Sequence, residues 1–252
     1  PIDLLSVTGG PAAGLALKHA SGLVRCLMEL GGNDPLFVLP DADLAAAATT
    51  AAGHRYEIAG QSCAAVKKLY VHESVQDAFT EALLSRVATV RHGDPAQSDT
   101  VMGPVIDLAA AEQVMERVAA SVTMGARVLA GGTCDGTLVA PTVLDRVVLD
   151  APVIATETFG PVLAIRGFHD IDAAVDEVNI SAYGLQAGIF TNDHAMIRRV
   201  GRRLHVGGLM VNEGPDFRAE HVPFGGIKTS GLGREGVRIT MREMSETHVI
   251  ID

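Results

Sequence analysis

The chain has 252 residues, 48% hydrophobic and 20% charged, and its 30 Asp+Glu against 20 Lys+Arg give a net charge of −10. That apolar fraction can bury a sizeable core, which excludes wholesale disorder, and the acidic balance argues against a nucleic-acid or anionic-membrane surface, either of which needs a basic patch. Three cysteines, none in CxxC spacing, argue against a disulfide framework or a structural zinc site and favour a reducing, cytoplasmic setting. No apolar run reaches the ~18–20 residues that span a bilayer. Pro1 to Ser6 lack the basic start and long apolar core of a signal peptide, and the absence of an initiator Met reads as a processed or cut start.

In chain order, Leu4–Val7 reads as a short strand ending in Thr8-Gly9-Gly10, then a helix over Ala12–Ala20 and a strand over Leu23–Leu30 closed by Gly31-Gly32. Phe37-Val38-Leu39 is another short run. Pro40, Asp41 and Asp43 then supply helix-start chemistry for the Ala-rich Leu44–Ala52. Leu69-Tyr70-Val71 reads as a strand, and Ser74 with Asp77 resembles a capping box opening an amphipathic helix over Val75–Val90. A second amphipathic helix covers Leu108–Met124, ended by Gly125, with a strand over Arg127–Ala130. Val139–Leu144, Leu163–Phe168, Leu185–Phe190 and Gly208–Val211 read as strands, with helices over Ile171–Asn179 and His194–Leu204 between them. The alternation predicts an α/β fold with a largely parallel sheet flanked by helices. Gly207 to Gly236 is glycine-rich and lacks periodicity, as stretches lining sites or interfaces do. A short helix over Val237–Glu243 and an apolar tail, His248–Ile251, follow; the tail reads as an edge strand seeking a partner.

The chemistry concentrates in Met28-Glu29-Leu30-Gly31-Gly32 and Gly60-Gln61-Ser62-Cys63. A cysteine after a glycine-polar turn is a candidate thiolate nucleophile, because the turn exposes sulfur and brings backbone N–H groups near developing negative charge. The alternative is a buried structural thiol. Glu29 ends an apolar strand and is either an exposed carboxylate or a general base whose apolar neighbours raise its pKa. Cys26 and Cys134 read as core or loop thiols. The nine histidines show no HxxxH or HExxH spacing, so no metal site is expected. Arg198-Arg199 and Arg202-Arg203 read as a solvated basic face.

Taken together, these segments resemble the aldehyde dehydrogenase superfamily. The match is carried by Glu29-Leu30-Gly31-Gly32, Gly60-Gln61-Ser62-Cys63, Glu157-Thr158-Phe159-Gly160-Pro161-Val162 and Pro223-Phe224-Gly225-Gly226-Ile227-Lys228-Thr229-Ser230-Gly231. The four motifs stand in the family's order and cover nearly the whole chain. The resemblance implies that Cys63 attacks an aldehyde carbonyl, that hydride passes to NAD or NADP, and that Glu29 activates the water hydrolysing the resulting thioester. It also implies that Glu157 and Phe159 hold the nicotinamide ribose and ring, with Leu30 beside them, and that Gly9 and Gly10 form a pyrophosphate loop. The family usually has Ser where this chain has Gly10.

The resemblance further implies three segments: residues 1–32 as a remnant of a Rossmann-like dinucleotide-binding domain, 33–235 as the catalytic domain, and 236–252 as a C-terminal helix and oligomerisation strand. The match begins partway through the family's cofactor domain, so the segment gripping the adenosine ribose and an oxyanion-binding Asn are missing. Asn33-Asp34-Pro35, Ala65-Val66-Lys67-Lys68 and Phe217-Arg218 resemble the phosphonoacetaldehyde branch. Arg218 is then the candidate anion contact, with Phe217 and Ser62 beside the substrate. Those relatives place an Arg where this chain has Ser62. The expected partners are a small aldehyde and, through the tail strand, a second copy of the chain; neither nucleic acid nor membrane is expected. Two alternatives stay open: a degenerate homologue with a structural or interaction role, and a cofactor-independent thiol esterase built on Cys63 and Glu29.

Overall fold

The computed structural model describes residues 2–252. Strand β1 (Leu4–Thr8) leads through helix α1 (Pro11–Ser21) to β2 (Arg25–Glu29), and the two strands pair in parallel with Thr8 opposite Glu29. Helix α1 starts where Pro11, whose ring fixes φ and which has no N–H to lose, takes the first helical position. β3 (Asp34–Val38), α2 (Leu44–Tyr56), β4 (Val66–His72) and α3 (Gln76–Val87) follow, then α4 (Leu108–Thr123) and β5 (Arg127–Ala130). A small hairpin, β6 (Cys134–Asp135) and β7 (Leu138–Val139), precedes β8 (Thr142–Asp145), α5 (Pro152–Ala155), β9 (Val162–Phe168) and α6 (Ile171–Ile180). The chain ends with β10 (Gln186–Phe190), α7 (His194–Arg203), β11 (Gly208–Val211), β12 (Gly231–Leu232) and α8 (Val237–Glu243).

Seven strands form one sheet in the order β11-β10-β3-β4-β9-β8-β5, parallel throughout except for β5 against β8. Because helices cover both faces, the central strands are buried on both sides and read as continuous apolar runs. In β3, Leu36 and Val38 face a core built with α2, α3 and α4, while Phe37 packs with α6 and α7 on the other face. Four alanines of α2 (Ala47, Ala48, Ala51 and Ala52) bring that helix close to the sheet, and the Asp43 carboxylate caps its start by accepting from the Ala46 N–H at 2.9 Å. Pro35 lies in the middle of the sheet although it cannot donate to a ladder; the register shifts between Asp34 and Pro35, an irregularity that accommodates it.

A second, three-stranded sheet has the order β1-β2-β12, with β12 antiparallel to β2 and Gly231 opposite Glu29. It joins the first residues of the chain to the glycine-rich segment. Among the described residues no helix is long and apolar enough to cross a membrane.

Two local expectations need correction. The capping box at Ser74 and Asp77 does not form: the His72 ring accepts the Ser74 N–H, and α3 starts at Gln76 with no side-chain cap. The strand expected over Val139–Leu144 is two strands in different sheets, separated at Ala140-Pro141, where the ring nitrogen has no hydrogen to donate. The tail at 248–251, read as an edge strand seeking a partner, pairs with no strand of this chain, and Val249, Ile250 and Ile251 stand exposed.

Candidate active site

The turn that presents Cys63 is wound against its own handedness. Ile58, Ala59 and Gly60 have φ of 50°, 54° and 71°, a left-handed run that costs L-residues energy and persists only where the surroundings enforce it. At Gly60 a side chain would strike the Gly160 carbonyl, so glycine is required on two counts. Gln61 closes the turn: its amide donates to the Ile58 carbonyl at 2.9 Å, and its oxygen accepts the Ile106 N–H at 2.8 Å. The turn delivers Cys63 half-buried, against Ala64, Leu185 and Phe224. Burial pushes the thiol pKa up, the Lys67 ammonium works against that, and Asp34 and Glu157 add to the rise. The Cys63 backbone N–H makes no hydrogen bond to a described residue.

Two buried cations fix the backbone around this turn. Lys67 in β4 donates to the Ser62 and Cys63 carbonyls at 2.8 and 2.6 Å. Arg55, at the end of α2, donates to the carbonyls of Thr158 (2.6 Å) and Gly160. Arg117 on α4 adds a bond to the Glu157 carbonyl. Residues 157–160 are thus held from two helices, with the Glu157 carboxylate turned inward: Oε1 accepts the Gly32 N–H at 3.0 Å and lies 3.8 Å from Lys67 Nζ. Its Oε2 lies over Gly31, where any side chain would collide with it. Phe159 is half-exposed beside it.

Glu29 ends β2, its own carbonyl accepting the Gly9 N–H at 3.1 Å. The side chain is 8% exposed, Oε1 abuts Gly225, and Oε2 is buried without a hydrogen-bond partner. Burial is the main cause that raises its pKa from 4.5 to about 7; Glu235 adds to the rise, while Arg234 and Arg218 oppose it. Glu29 lines a cavity of about 830 Å³, bounded also by Thr8, Arg218, Arg234, Glu235 and Met241.

One turn connects the two groups. Phe224 belongs to the small apolar cluster against which Cys63 packs, and the next residue, Gly225, meets the Glu29 carboxylate. Arg218 stacks over the Phe224 ring, its guanidinium carbon 3.7 Å from the centroid, and donates to Glu235 at 3.2 Å. As the anion contact that the sequence reading made it, it would be shared between the ligand and Glu235. Phe217 is half-exposed next to it, and Ser62 lies half-buried beside the thiol. His54 on α2 anchors this loop through Asp216, which raises the imidazole pKa, and lies 3.6 Å from Glu213.

Leu30 is buried, with its side chain filling the notch at Gly14, so any contact with a dinucleotide would come from its main chain. Gly9 and Gly10 stand at the start of α1 in open space, with no side chain capping the first turn. The fit to a dinucleotide rests on that uncapped helix start, the bare Gly31 surface and the Glu157 oxygen over it. Among the described residues no three His, Cys, Asp or Glu side chains converge as a metal site requires.

The buried cations were not singled out from the sequence. A signal existed for the lysines: neighbouring residues of a strand point to opposite faces, so Lys67 and Lys68 cannot both reach solvent from a strand inside a covered sheet.

Comparison with known proteins follows the same lines. The family described as "Aldehyde dehydrogenase family" matches residues 1–250. The chain is 42% identical over 250 residues to a sulfoacetaldehyde dehydrogenase of Neptuniibacter caesariensis, covering 99% of this chain and 55% of that protein. Its fold superposes on a glyceraldehyde-3-phosphate dehydrogenase of Methanocaldococcus jannaschii complexed with NADP, with a TM-score of 0.94 and 36% identity over 97% of this chain and 53% of the other. An NAD-dependent aldehyde dehydrogenase of Sinorhizobium meliloti gives a TM-score of 0.93 and 37% identity over 97% and 50%. The chain spans about half the length of these relatives.

Proposed function

Because this chain belongs to the aldehyde dehydrogenase family, we propose that its site oxidises a small anionic aldehyde to the carboxylate through a covalent adduct on Cys63. The carrying observation is the turn whose adjacent residues Phe224 and Gly225 belong to the apolar cluster at Cys63 and meet the Glu29 carboxylate, respectively. In this reading the Cys63 thiolate adds to the carbonyl carbon, and the oxyanion that forms is met by the unengaged Cys63 N–H. Loss of hydride from that carbon leaves a thioester on the sulfur. Glu29, as carboxylate, takes a proton from the water that attacks the thioester. A pKa of about 7 suits that role, since the carboxylate is available near neutrality yet basic enough to accept the proton, and Oε2 has no competing protein partner.

When bound, NAD or NADP supplies the hydride acceptor, and relatives with each cofactor support the class. The uncapped start of α1 after Gly9 and Gly10 would receive the pyrophosphate, Glu157 Oε2 the ribose hydroxyls, and Phe159 with the Leu30 main chain the nicotinamide. On this reading residues 1–32 serve the cofactor, 33–235 the chemistry and 236–252 association with a second copy, for which the exposed apolar tail is the support.

The anionic class rests on Arg218 stacked on Phe224, whose ring belongs to the apolar cluster at Cys63. The sulfonate in the name of one relative, the phosphate in another and the phosphonate read from the sequence share a tetrahedral anion that a guanidinium can grip. The test follows reduced cofactor and carboxylate product with sulfoacetaldehyde, phosphonoacetaldehyde and propanal. Turnover of the anionic aldehydes over propanal is expected, lost in Cys63→Ala. Undiminished turnover in Cys63→Ala overturns the mechanism, and equal use of propanal overturns the substrate class.

A further inference from the structure

Beneath the thiol lies a buried lysine that the proposed chemistry does not use. Lys67 is 1% exposed and follows Cys63 by one turn and the first residue of β4. Its ammonium donates to the Ser62 and Cys63 carbonyls at 2.8 and 2.6 Å and reaches that of Ala65 at 3.4 Å. On its other side Glu157 Oε1 lies at 3.8 Å, and the same oxygen accepts the Gly32 N–H at 3.0 Å. Gly32 in turn abuts the Cys63 carbonyl. Burying a cation is costly unless it is paired and hydrogen-bonded, so the fold accepts this charge only with its acceptors in place.

We propose that Lys67 is a positioning residue that ties the nucleophile turn and the Glu157 carboxylate to one fixed point. The proposal rests on the aldehyde-oxidising reading of Cys63 and Glu157. Displacement of either segment breaks bonds to the same ammonium, so the thiol and the cofactor-side carboxylate keep a constant separation. With Oε1 held by Lys67 and Gly32, Oε2 is the oxygen left to face a ligand.

The arrangement also sets local charge. The groups acting on Cys63 are Lys67, which favours the thiolate, and Asp34 of β3 and Glu157, which disfavour it. Lys67 itself faces Asp34, Arg55 of α2, Glu157 and Cys63; burial pushes its pKa down to about 8, with Asp34 the strongest opposing influence. Removing the cation must make the thiol harder to ionise, and removing the carboxylate must make it easier.

The test uses the 252-residue chain without cofactor or aldehyde. Alkylation by iodoacetamide is followed as a function of pH, with the Cys63 peptide read by mass spectrometry so that Cys26 and Cys134 do not contribute. Lys67→Met is expected to lower the alkylation rate of Cys63 at pH about 7, where the parent ammonium is charged, and Glu157→Gln to raise it. An unchanged rate in Lys67→Met, or movement of both variants in the same direction, overturns the proposal. Should Lys67→Met lose its far-ultraviolet dichroism, Glu157→Gln carries the test, and an unchanged or lowered rate there overturns it. Shifts of the expected signs support the role of Lys67 whether or not the chain turns over an aldehyde, so its failure is distinguishable from failure of the proposed reaction.

Discussion

Around Cys63 the main chain is gripped from beneath by buried cations, Lys67 on the turn and Arg55 on the facing loop. Around Glu29 the main chain is held by strand pairing, and the neighbouring charges, Arg218 and Glu235, are about half-exposed beside a cavity of about 830 Å³. The difference matches the two tasks proposed for the groups. A nucleophile must be aimed, and its oxyanion must meet a donor that does not move, so carbonyl-to-cation bonds on rigid elements serve it. A general base must have the right proton affinity and contact with water, which one-sided burial next to an open cavity provides.

Four variants break or sharpen that contrast, taken from the largest expected effect to the smallest. Cys63→Ala removes the bond-forming atom and should lower turnover by about 10⁴-fold or more, measured as carboxylate formed per chain. Glu29→Gln should lower thioester hydrolysis by about 10²- to 10⁴-fold while leaving acylation in place, so that a covalent acyl adduct on Cys63 accumulates in intact-mass spectra. Absence of that adduct would place Glu29 in the first half of the reaction and erase the division of labour.

The same carboxyl gives a pH signature. Hydrolysis in the parent chain should rise as pH passes about 7, where Glu29 ionises, and lose that inflection in Glu29→Gln. Stability runs the other way. The folded pKa is raised from 4.5, so the fold favours the neutral form; that contribution is fully present below about 4.5 and is lost as pH rises through about 7. Glu29→Gln should therefore raise Tm at pH about 8 relative to the parent more than at pH about 4.

Gly31→Ala places a methyl against Glu157 Oε2 and should weaken dinucleotide binding by about 10-fold, near 1.4 kcal/mol, with the far-ultraviolet spectrum unchanged. Calorimetry showing unaltered affinity would remove Glu157 from the cofactor surface. Asp43→Ala deletes the cap of α2, remote from both groups, and should cost about 1 kcal/mol in denaturant unfolding while the reactivity of Cys63 toward iodoacetamide stays the same.

Much of this was legible in the chain itself, and the exceptions have physical causes. Gly208–Val211 and Val237–Glu243 stand where apolar runs and helix formers put them, and Glu29 ends its strand as read. Helix α2 runs past the expected Ala52 to Tyr56, because Arg55 and Tyr56 bury their polar ends on carbonyls of distant loops, which local propensity cannot register. Ser74 failed as a cap because its hydroxyl and its N–H both turn to the ring of His72, two residues earlier. The pairing of Arg218 with Glu235, 17 residues on, was not legible because it forms only through the return of the glycine-rich segment.

The pairing of Gly231 with Glu29 also governs when the site can exist at all. A ribosome releases the strand bearing the acid long before it makes the segment that lies against it. Until that late segment arrives, the carboxyl stays hydrated, with an ordinary affinity for protons, and the nascent chain carries a thiol without a tuned base. Ordering those glycines against the early strand closes a very long loop, the kind of contact that tends to form late. The pairing of early strand and late segment is thereby completed only near the end of synthesis.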